Sequence, residues 1–346
     1  MRSPVNYFLR QIWKLDLSEN YSRKFKATEV NTKKEKIMAL SGVLRPGFVQ
    51  LRVMDMDAAV KHYRDMLGLN LVTTAPDGRV YFKAHDEFDH HSIVLREADS
   101  PGMDCMGFKV SDEKCLDKFK SDLEQQGLPV SEIEAGEQLN TGRRVRFIAP
   151  TGHSIDLYCD MELSEAGPMV DQPDIYVDPP RGMAAIRMDH CLLYGGDIDA
   201  TERVFIDILG FKRSEFIHAP GNPEETIAIF ITCSNKAHDL ALVRHDEDNK
   251  LHHVSFLVED WAAIGHAADL MARFNIPVDI GPTRHGITRG KTIYFWDPSG
   301  NRNEVFAGGY DFYPDNPVRH WSAENVGKAI FYYEKEINDT FLSVVT

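Results

Sequence analysis

Three residues in the second half of the chain, His190, His253 and Glu304, combine side-chain types that bind a transition metal. Each lies in a short run with the pattern of a β-strand. Two neutral imidazoles and one carboxylate form the facial triad that leaves positions open on a non-haem Fe(II). The same ligands suit Mn(II), whereas a shell without thiolate argues against structural zinc. On residue types alone, the alternative is that both histidines are hydrogen-bonded core residues and that Glu304 lies on the surface.

The elements that must position these residues are repeated along the chain. Four stretches share one pattern, in which a β-type run meets an acidic or capping residue and a segment with helical periodicity follows. Each helical segment gives way to a strand, a turn and a further strand. The pattern predicts an α+β fold of four βαβββ modules paired into two domains. The four stretches begin at Phe48, Cys105, Asp189 and His252.

The repeats also allow the two halves to be compared position by position. The last hairpins of the second and fourth modules align with an offset of 148 residues, and the first strands of these modules align with the same offset. In the first half, Phe48 matches His190, Cys105 matches His253 and Asp156 matches Glu304. Because these residues do not form a suitable ligand set, we expect a metal only in the second half.

The repeats and the composition together predict a domain organisation. Four prolines crowd without periodicity between the two halves, which is typical of a linker. The predicted segments are an N-terminal extension (1–40), a metal-free domain (41–160), a linker (161–186), a domain with the candidate metal ligands (187–310) and a C-terminal tail with a helix (311–346).

The N-terminal extension differs in charge from the rest of the chain. Residues 1–37 carry nine Lys and Arg against four Asp and Glu, whereas the remaining residues carry a net charge of -19. This stretch ends in a lysine run without periodic structure, so we expect it to be poorly ordered. It contains no histidine or cysteine. We therefore expect it to be dispensable, with Met38 a candidate physiological start.

Composition excludes several classes of protein. The 346 residues carry a net charge of -14, which offers no electrostatic footprint for nucleic acid. No apolar run approaches the roughly 18 residues of a membrane span, so we expect no membrane insertion. The five cysteines form no C-x-x-C pair, and their irregular spacing fits a reducing cytoplasm.

Several segments closely resemble the catechol 2,3-dioxygenase family, the type I extradiol ring-cleavage enzymes of the vicinal oxygen chelate (glyoxalase-like) superfamily. The resemblance covers residues 43–346, and the final hairpin around Asn303-Glu304 is its most specific part. The segments are RPGFVQLRV, SIVLREAD, PGMDCMGFKV, GRRVRFIAPTGH, KAHDLA, LHHVSFLVE, DIGPTRHGITRGKTIYFWDPSGNRNEVFAGG and VGKAIFYYEKEIND.

The resemblance implies an activity and its cofactor. Members of the family use Fe(II), with Mn(II) the less favoured metal, and cleave catechol with O2 to 2-hydroxymuconate semialdehyde. Carried over by motif, the ligands are His190, His253 and Glu304. Members of the family are homotetramers, so we expect the same assembly here. The adjacent His252 leaves an ambiguity. Because successive strand side chains point to opposite faces, we expect only one of the two histidines to face the metal.

The resemblance also implies three catalytic residues, His238, His285 and Tyr294. Catechol must lose a proton to chelate a metal, and an imidazole that titrates near neutrality is a suitable acceptor. His238 and Tyr294 are expected to contact substrate oxygens, and His285 is expected beside the oxygen site. His238 is also assigned as a polar contact on the bound oxygen, with acid–base duties. The division of acid and base roles between the two histidines stays open, and Ile287 is expected to line the ring pocket. The alternative for each polar residue is a structural hydrogen bond within the sheet.

Other features have simpler interpretations. His90 and His91 are interpreted as surface turn residues before a strand. Arg143 and Arg144 are interpreted as a solvated or intersubunit strand edge. The aromatic residues 331–333 are expected to pack between subunits rather than on substrate.

Three alternative functions remain open. The first is an extradiol enzyme that prefers a substituted catechol. The second is a non-oxygenase metalloenzyme of the same superfamily, an isomerase or a thiol transferase, which usually spreads its ligands over paired modules. The third is a non-catalytic binding protein, against which the intact set of His238, His285 and Tyr294 argues.

Overall fold

The structure is a computed structural model that describes residues 41–165, 167–175 and 179–346. The extension 1–40 lies outside the described residues, so its predicted disorder and dispensability stay predictions. No helix in the described ranges has the length and apolar character needed to cross a membrane.

The first half of the chain forms a mixed sheet of eight strands in the order β2-β3-β4-β1-β5-β8-β7-β6. Its strands are β1 (Val43–Val53), β2 (Asn70–Thr74), β3 (Val80–Lys83), β4 (Ile93–Glu97), β5 (Gly102–Val110), β6 (Val130–Ile133), β7 (Arg144–Ile148) and β8 (Ser154–Tyr158). Its helices are α1 (Met56–Lys61), which continues as a π-helical turn (His62–Met66), and α2 (Glu113–Gln125).

The second half forms a sheet of nine strands in the order β14-β15-β16-β13-β9-β12-β11-β10-β17. Its strands are β9 (Arg187–Gly195), β10 (Lys212–Ala219), β11 (Asn222–Thr232), β12 (Leu240–Arg244), β13 (Lys250–Leu257), β14 (Val278–Arg284), β15 (Gly290–Trp296), β16 (Arg302–Gly308) and β17 (Arg319–Ser322). Its helices are α3 (Ile198–Arg203) with a π-helical turn (Val204–Ile208), α4 (Trp261–Phe274), a 3-10 turn (Ala323–Asn325), α5 (Val326–Ile330) and α6 (Asp339–Ser343).

This order of elements confirms the predicted fold of four βαβββ modules paired into two domains. In each module a buried strand is followed at once by a helix whose N-cap aspartate accepts a hydrogen bond from the backbone N–H three residues later. The four N-cap residues are Asp55, Asp112, Asp197 and Asp260. Antiparallel pairing of the leading strands, β1 with β5 and β9 with β13, joins the modules two by two.

Strand β9 shows how the second sheet separates a core from a cavity. Cys191 and Leu193 belong to the main hydrophobic core, whereas Leu192 and Tyr194 belong to a second apolar cluster on the opposite face. This alternation follows from the two-residue period of a strand. His190 shares the face of Leu192, so the sequence period directs it away from the core and toward the cavity.

The C-terminal tail contains more structure than the single helix predicted. Strand β17 adds to the edge of the second sheet and pairs in parallel with β10. Its four residues are too few to show an alternating pattern, so the sequence offered no periodic signal for it.

In the first domain, arginine side chains occupy the neighbourhood that matches the candidate metal ligands. Asp156, the counterpart of Glu304, is buried and has Oδ1 at 2.6 Å from Nε of Arg146 and Oδ2 at 3.4 Å from Nη1 of Arg144. Two guanidinium groups thus balance its charge. The interpretation of Arg144 as a solvated edge is wrong, because this side chain is 1% exposed. Arg143 does lie at the surface, among acidic side chains.

The interpretation of His90 and His91 as surface turn residues is also wrong. Both are buried, at 7% and 1% exposed. Their Nδ1 atoms are 3.0 Å apart, and the His91 ring packs edge-on against Tyr81 at 4.9 Å. Polar residue type suggested exposure, but the sheet folds this segment inward, where neighbouring side chains supply hydrogen-bond partners.

Candidate metal centre and substrate cavity

The three candidate ligands meet at the centre of the second sheet. His190 lies on β9, His253 on β13 and Glu304 on β16, which are adjacent strands. His190 and Glu304 both lie opposite Ser255 of β13 in the strand register. One imidazole nitrogen from each histidine and one carboxylate oxygen of Glu304 lie within 4.8 Å of one another, and all three residues are buried.

The distances within this group fit a metal ion. Oε2 of Glu304 is 3.0 Å from Nε2 of His190 and 3.4 Å from Nε2 of His253, and the two Nε2 atoms are 3.4 Å apart. Oε2 is buried without a hydrogen-bond partner among the described residues. A buried carboxylate oxygen beside two imidazole nitrogens favours a positive charge at this position, which a bound metal ion would supply. The donor set of two nitrogens and one oxygen is suited to a divalent transition metal.

The other oxygen of Glu304 is held by the protein. The hydroxyl of Thr292, on the neighbouring strand β15, donates a hydrogen bond to Oε1. Nε2 of His285 lies 3.4 Å from the same oxygen. The hydrogen bond from Thr292 orients the carboxylate and leaves Oε2 for a metal. The sequence carried no signal for Thr292, because a threonine in a strand is ordinarily only a β-former.

His190 is oriented by an aspartate that precedes it in the sequence. Its Nδ1–H donates to Oδ2 of Asp189 at 2.9 Å, which leaves the lone pair of Nε2 for a metal. Asp189 is buried beside Lys236, whose Nζ lies 3.3 Å from Oδ1. Burial alone would raise the pKa of Asp189, but Lys236 and His190 outweigh it and hold the pKa well below its usual range.

The ambiguity between His252 and His253 is resolved by a β-bulge. Leu251 and His253 pair with the consecutive residues Leu193 and Leu192 of β9, so His252 is the extra residue of β13. The expectation that the two side chains point to opposite faces is therefore wrong here, because a bulge interrupts the alternation. Nε2 of His253 faces the ligand group, whereas Nδ1 of His252 lies 2.7 Å from Nδ1 of His253.

The charges of this group support a cation between its members. Burial alone would raise the pKa of Glu304, but His190, His253 and His285 around it hold the pKa well below its usual range. Burial would lower the pKa of His190, but Asp189 and Glu304 raise it overall. Burial lowers the pKa of His253 to about 4, so this imidazole is neutral near pH 7. A proton on His190 balances Glu304 in the absence of metal, and a metal would replace that proton.

A cavity of about 220 Å³ opens from the candidate ligands. His238, His285, Tyr294 and Ile287, the four further residues predicted for the site, all line it together with His190 and His253. The far walls are apolar and belong mainly to β10, β11, β12 and the two C-terminal helices. Among the wall residues are Ile217, Ala228, Val243, Val326, Ile330 and Leu342.

The three predicted catalytic side chains surround the metal end of the cavity. Nδ1–H of His285 donates to the carbonyl of Ile330, so Nε2 is free to accept from the hydroxyl of Tyr294 at 3.0 Å. Burial raises the pKa of Tyr294 well above its usual value, so its hydroxyl keeps its proton. The His238 ring lies 3.9 Å from that of His190, and burial lowers its pKa well below the ordinary value.

Two C-terminal aromatic residues also enclose this end of the cavity. Phe331 is fully buried and stacks on His285 with ring centroids 6.3 Å apart. Its expected place between subunits is therefore wrong, whereas Tyr332 and Tyr333 are 44% and 55% exposed. Phe341 packs against Tyr294 at 5.0 Å. The sequence carried no signal for Phe341, because its contacts are made only when the chain end folds back over the site.

Comparisons with known proteins identify the family of the chain. A family described as the catechol 2,3-dioxygenase-like N-terminal domain matches residues 103–162, and the glyoxalase/bleomycin resistance protein/dioxygenase superfamily matches residues 187–305. A metapyrocatechase from Pseudomonas sp. (strain CF600) is 48% identical over 306 residues, which cover 88% of this chain and 99% of that protein.

Two further proteins extend the comparison. A manganese-dependent 2,3-dihydroxybiphenyl 1,2-dioxygenase from Geobacillus genomosp. 3 is 26% identical and covers 84% of this chain and 94% of that protein. The crystal structure of the 2,3-dioxygenase LapB from Pseudomonas sp. KL28 superposes with a TM-score of 0.81 at 45% identity, covering 83% of this chain and 100% of that chain. With its two paired-module domains and its histidine–glutamate group, the chain belongs to the metapyrocatechase family of dioxygenases.

Proposed function

We propose that this enzyme uses Fe(II) and O2 to cleave catechol beside its hydroxylated carbons, giving 2-hydroxymuconate semialdehyde. The observation that carries the proposal is that three candidate metal-ligand atoms lie within 4.8 Å of one another beside a mainly apolar cavity, which His190 and His253 line. The name and catalytic class of the metapyrocatechase that is 48% identical support it.

The metal would be held by His190, His253 and Glu304. When bound, it supplies a centre that orients catechol and O2 and couples them electronically. The donor set accepts either Fe(II) or Mn(II). We propose Fe(II), because it is the metal that the resemblance to the catechol 2,3-dioxygenase family implies, and the manganese-dependent relative is only 26% identical.

The protein itself handles protons at the metal end of the cavity. Because His285 has Nδ1–H committed to the Ile330 carbonyl, its Nε2 can receive a proton that arrives through the Tyr294 hydroxyl. We assign these two residues to the catechol hydroxyl. His238 is a neutral, buried imidazole beside His190, and we assign it to contact with the oxygen that is being transferred. Both assignments place an acid–base group within reach of a reacting oxygen.

The far end of the cavity favours a substrate without charge. Arg244 is the cationic residue among the cavity-lining residues, and its guanidinium is already engaged. Nη2 of Arg244 lies 2.6 Å from Oδ2 of Asp199. Nε donates to the carbonyl of Thr226, and Nη1 donates to the carbonyl of Gly196. A carboxylate on the ring would therefore be buried without a partner. We expect catechol and catechols with small apolar substituents to be cleaved, and carboxylated catechols to be rejected.

A substrate panel tests this proposal. Protein loaded anaerobically with Fe(II) is mixed with catechol, 4-methylcatechol and 3,4-dihydroxybenzoate, and air is admitted. Yellow ring-fission product should form with the first two and not with the third. Ala228→Leu, which narrows the apolar end, should reduce kcat/KM for 4-methylcatechol relative to catechol by about tenfold. Formation of muconate, or no oxygen uptake with any catechol, would contradict the proposal.

We further propose a homotetramer in a cytoplasmic setting. Three aromatic side chains lie exposed in one region, where the rings of Trp261 and Tyr333 are 6.5 Å apart and Tyr332 is adjacent. Such exposed aromatic groups are typical of subunit contacts. Light scattering coupled to gel filtration should give four times the chain mass of 39.3 kDa, and a monomer would contradict the proposal.

A further inference from the structure

The C-terminal helix α6 makes a hydrogen bond that leads to the candidate metal ligand His253. The carbonyl of Phe341 accepts a hydrogen bond from Nε2 of His252 at 2.8 Å. Nδ1 of His252 lies 2.7 Å from Nδ1 of His253, and all three residues are buried. The chain end and the ligand are thus joined through one intervening imidazole.

The chemistry of the three groups allows only one arrangement of protons while both rings are neutral. A carbonyl oxygen can only accept, so the proton of His252 is on Nε2 and its Nδ1 is an acceptor. His253 must then donate from Nδ1, which leaves its Nε2 without a proton. A metal binds the unprotonated nitrogen of an imidazole, and the hydrogen bond of the other nitrogen sets which one that is.

Several hydrogen bonds fix the C-terminal segment where this contact requires it. The buried guanidinium of Arg302 donates to the carbonyls of Thr340 and Val344 at 2.9 and 3.0 Å. The chain end adds two backbone hydrogen bonds between Thr346 and Leu251, the residue before His252. The carbonyl groups in the last turn of a helix have no partners within the helix, so they are available for such contacts.

We propose that His252 is a positioning residue through which residues 338–346 hold His253 in its metal-binding tautomer. The inference rests on the proposed ligand set of His190, His253 and Glu304. It assigns a role to His252, the extra residue of β13 at the β-bulge. It also makes the chain end, which is remote from His253 in sequence, a contributor to metal affinity.

Two substitutions of His252 separate the two hydrogen bonds. In His252→Asn the side-chain oxygen can stand near the position of Nδ1 and accept from His253, but the side chain is too short to reach Phe341. In His252→Gln the amide nitrogen can reach the Phe341 carbonyl, but the acceptor for His253 is lost. His252→Ala removes both.

The measurement is the dissociation constant of Fe(II), obtained anaerobically by competition with a chelator, together with the thermal midpoint of each metal-free variant. His252→Ala should weaken binding by about 10- to 100-fold. His252→Asn should recover part of this loss, and His252→Gln should remain close to His252→Ala. The matched control is His91→Ala, which removes a buried imidazole from the other adjacent-histidine pair, in the first domain. It should lower the thermal midpoint but leave Fe(II) affinity unchanged.

The inference is wrong if His252→Ala binds Fe(II) within about twofold of the wild type, or if His252→Asn binds no more tightly than His252→Gln. It is also wrong if His91→Ala weakens binding as much as His252→Ala. Failure of the proposed ligand set is distinguishable, because His253→Ala would then retain the metal as well.

Discussion

At the scale of single residues, the site depends on which atoms are left without a proton. His190 and His253 each commit Nδ1 to a neighbour, and Glu304 commits Oε1 to Thr292. The remaining atoms, two Nε2 and one Oε2, face one another. The residues that surround the ligands therefore determine what they can bind, as is general for metal sites.

The residues that line the cavity should affect turnover more than metal content. His285→Ala, His238→Phe and Tyr294→Phe do not remove a candidate ligand, so each should retain Fe(II) measured by metal analysis. His285→Ala and His238→Phe should lower kcat by about 10²- to 10⁴-fold, because each removes an acid–base group. Tyr294→Phe should be the mildest, since one hydrogen bond is worth about 0.5–1.5 kcal/mol. Wild-type turnover in an iron-replete variant would remove that residue from the mechanism.

At this scale the sequence predicted which residues gather but not how they are held. Side-chain type and repeat position singled out His190, His253 and Glu304 as candidates, and the resemblance to the family favoured them over hydrogen-bonded core residues. The partners Thr292 and Phe341 come from a neighbouring strand and from the chain end. Such contacts depend on tertiary packing, which no local pattern carries.

At the scale of elements, two equivalent module pairs balance a buried carboxylate in different ways. In the second domain the Glu304 carboxylate faces two imidazoles and fits a metal. In the first domain Asp156, at the matching position, is paired with Arg144 and Arg146. The same strand geometry thus supports a catalytic site in one domain and an internal ion pair in the other.

The ion pair in the first domain should be needed for stability and not for metal binding. Asp156→Asn removes the carboxylate charge that pairs with Arg146, whereas Arg144 keeps its ion pair with Glu137. Because Arg146 is partly exposed and the Asn oxygen can still accept a hydrogen bond, the free energy of unfolding should fall by about 1–3 kcal/mol. Urea denaturation of the metal-free protein measures the change, and metal analysis should show unaltered Fe(II) content. A loss of iron at full stability would mean that the first domain takes part in the metal site.

A buried histidine at the end of the last hairpin of the first domain should make stability depend on pH. Burial lowers the pKa of His153 to about 4, although a hydrogen bond to the Lys250 carbonyl opposes this. In the unfolded chain the pKa is about 6.5. Between these values the unfolded state binds one more proton, so this contribution is present above pH 6.5 and is lost as pH falls toward 4.

His153→Gln should therefore reduce the pH dependence of stability. Between pH 7 and pH 5 the wild type should lose about 2 kcal/mol more than this variant, at about 1.4 kcal/mol per pH unit below 6.5. Urea denaturation at the two pH values measures the difference. His266→Gln, in an exposed helix position, is the control and should behave as the wild type. If His153→Gln and the wild type lose the same free energy of unfolding between the two pH values, His153 is not a buried neutral imidazole in the folded protein.

The sequence predicted the βαβββ elements because their periods are regular and repeated four times. It did not predict β17, which is too short to show a period, or the bulge at His252, which breaks one. The bulge matters most, because it places two consecutive histidines on the side of the metal site. An alternation rule alone would have excluded that arrangement.

At the scale of the whole molecule, the metal site is built from one domain and closed by the chain end. The candidate metal ligands come from β9, β13 and β16, and the C-terminal helices α5 and α6 supply Ile330, Phe341 and Leu342 to the cavity walls. Length and repeats predicted two domains, and the charge distribution predicted a separate extension. The closure by the chain end required the structure, because it links segments far apart in sequence.

The extension should be dispensable for both fold and activity. Residues 1–37 contain no histidine or cysteine, and the resemblance to the family begins near residue 43. A protein that starts at Met38 should match the full chain in Fe(II) content, catechol cleavage and thermal midpoint. A fall of several degrees would correspond to roughly 1–2 kcal/mol and would show that the extension docks on the folded domains.

The most direct test of the central claim is Fe(II) content and ring-fission product measured together in His190→Ala, His253→Ala, Glu304→Ala and the wild type. Each protein is loaded anaerobically, freed of excess metal and mixed with catechol before air is admitted. We predict about one Fe(II) per chain and 2-hydroxymuconate semialdehyde in the wild type, with loss of both in every variant. Full iron occupancy and wild-type product formation in any one variant would contradict the assignment of that residue as a ligand.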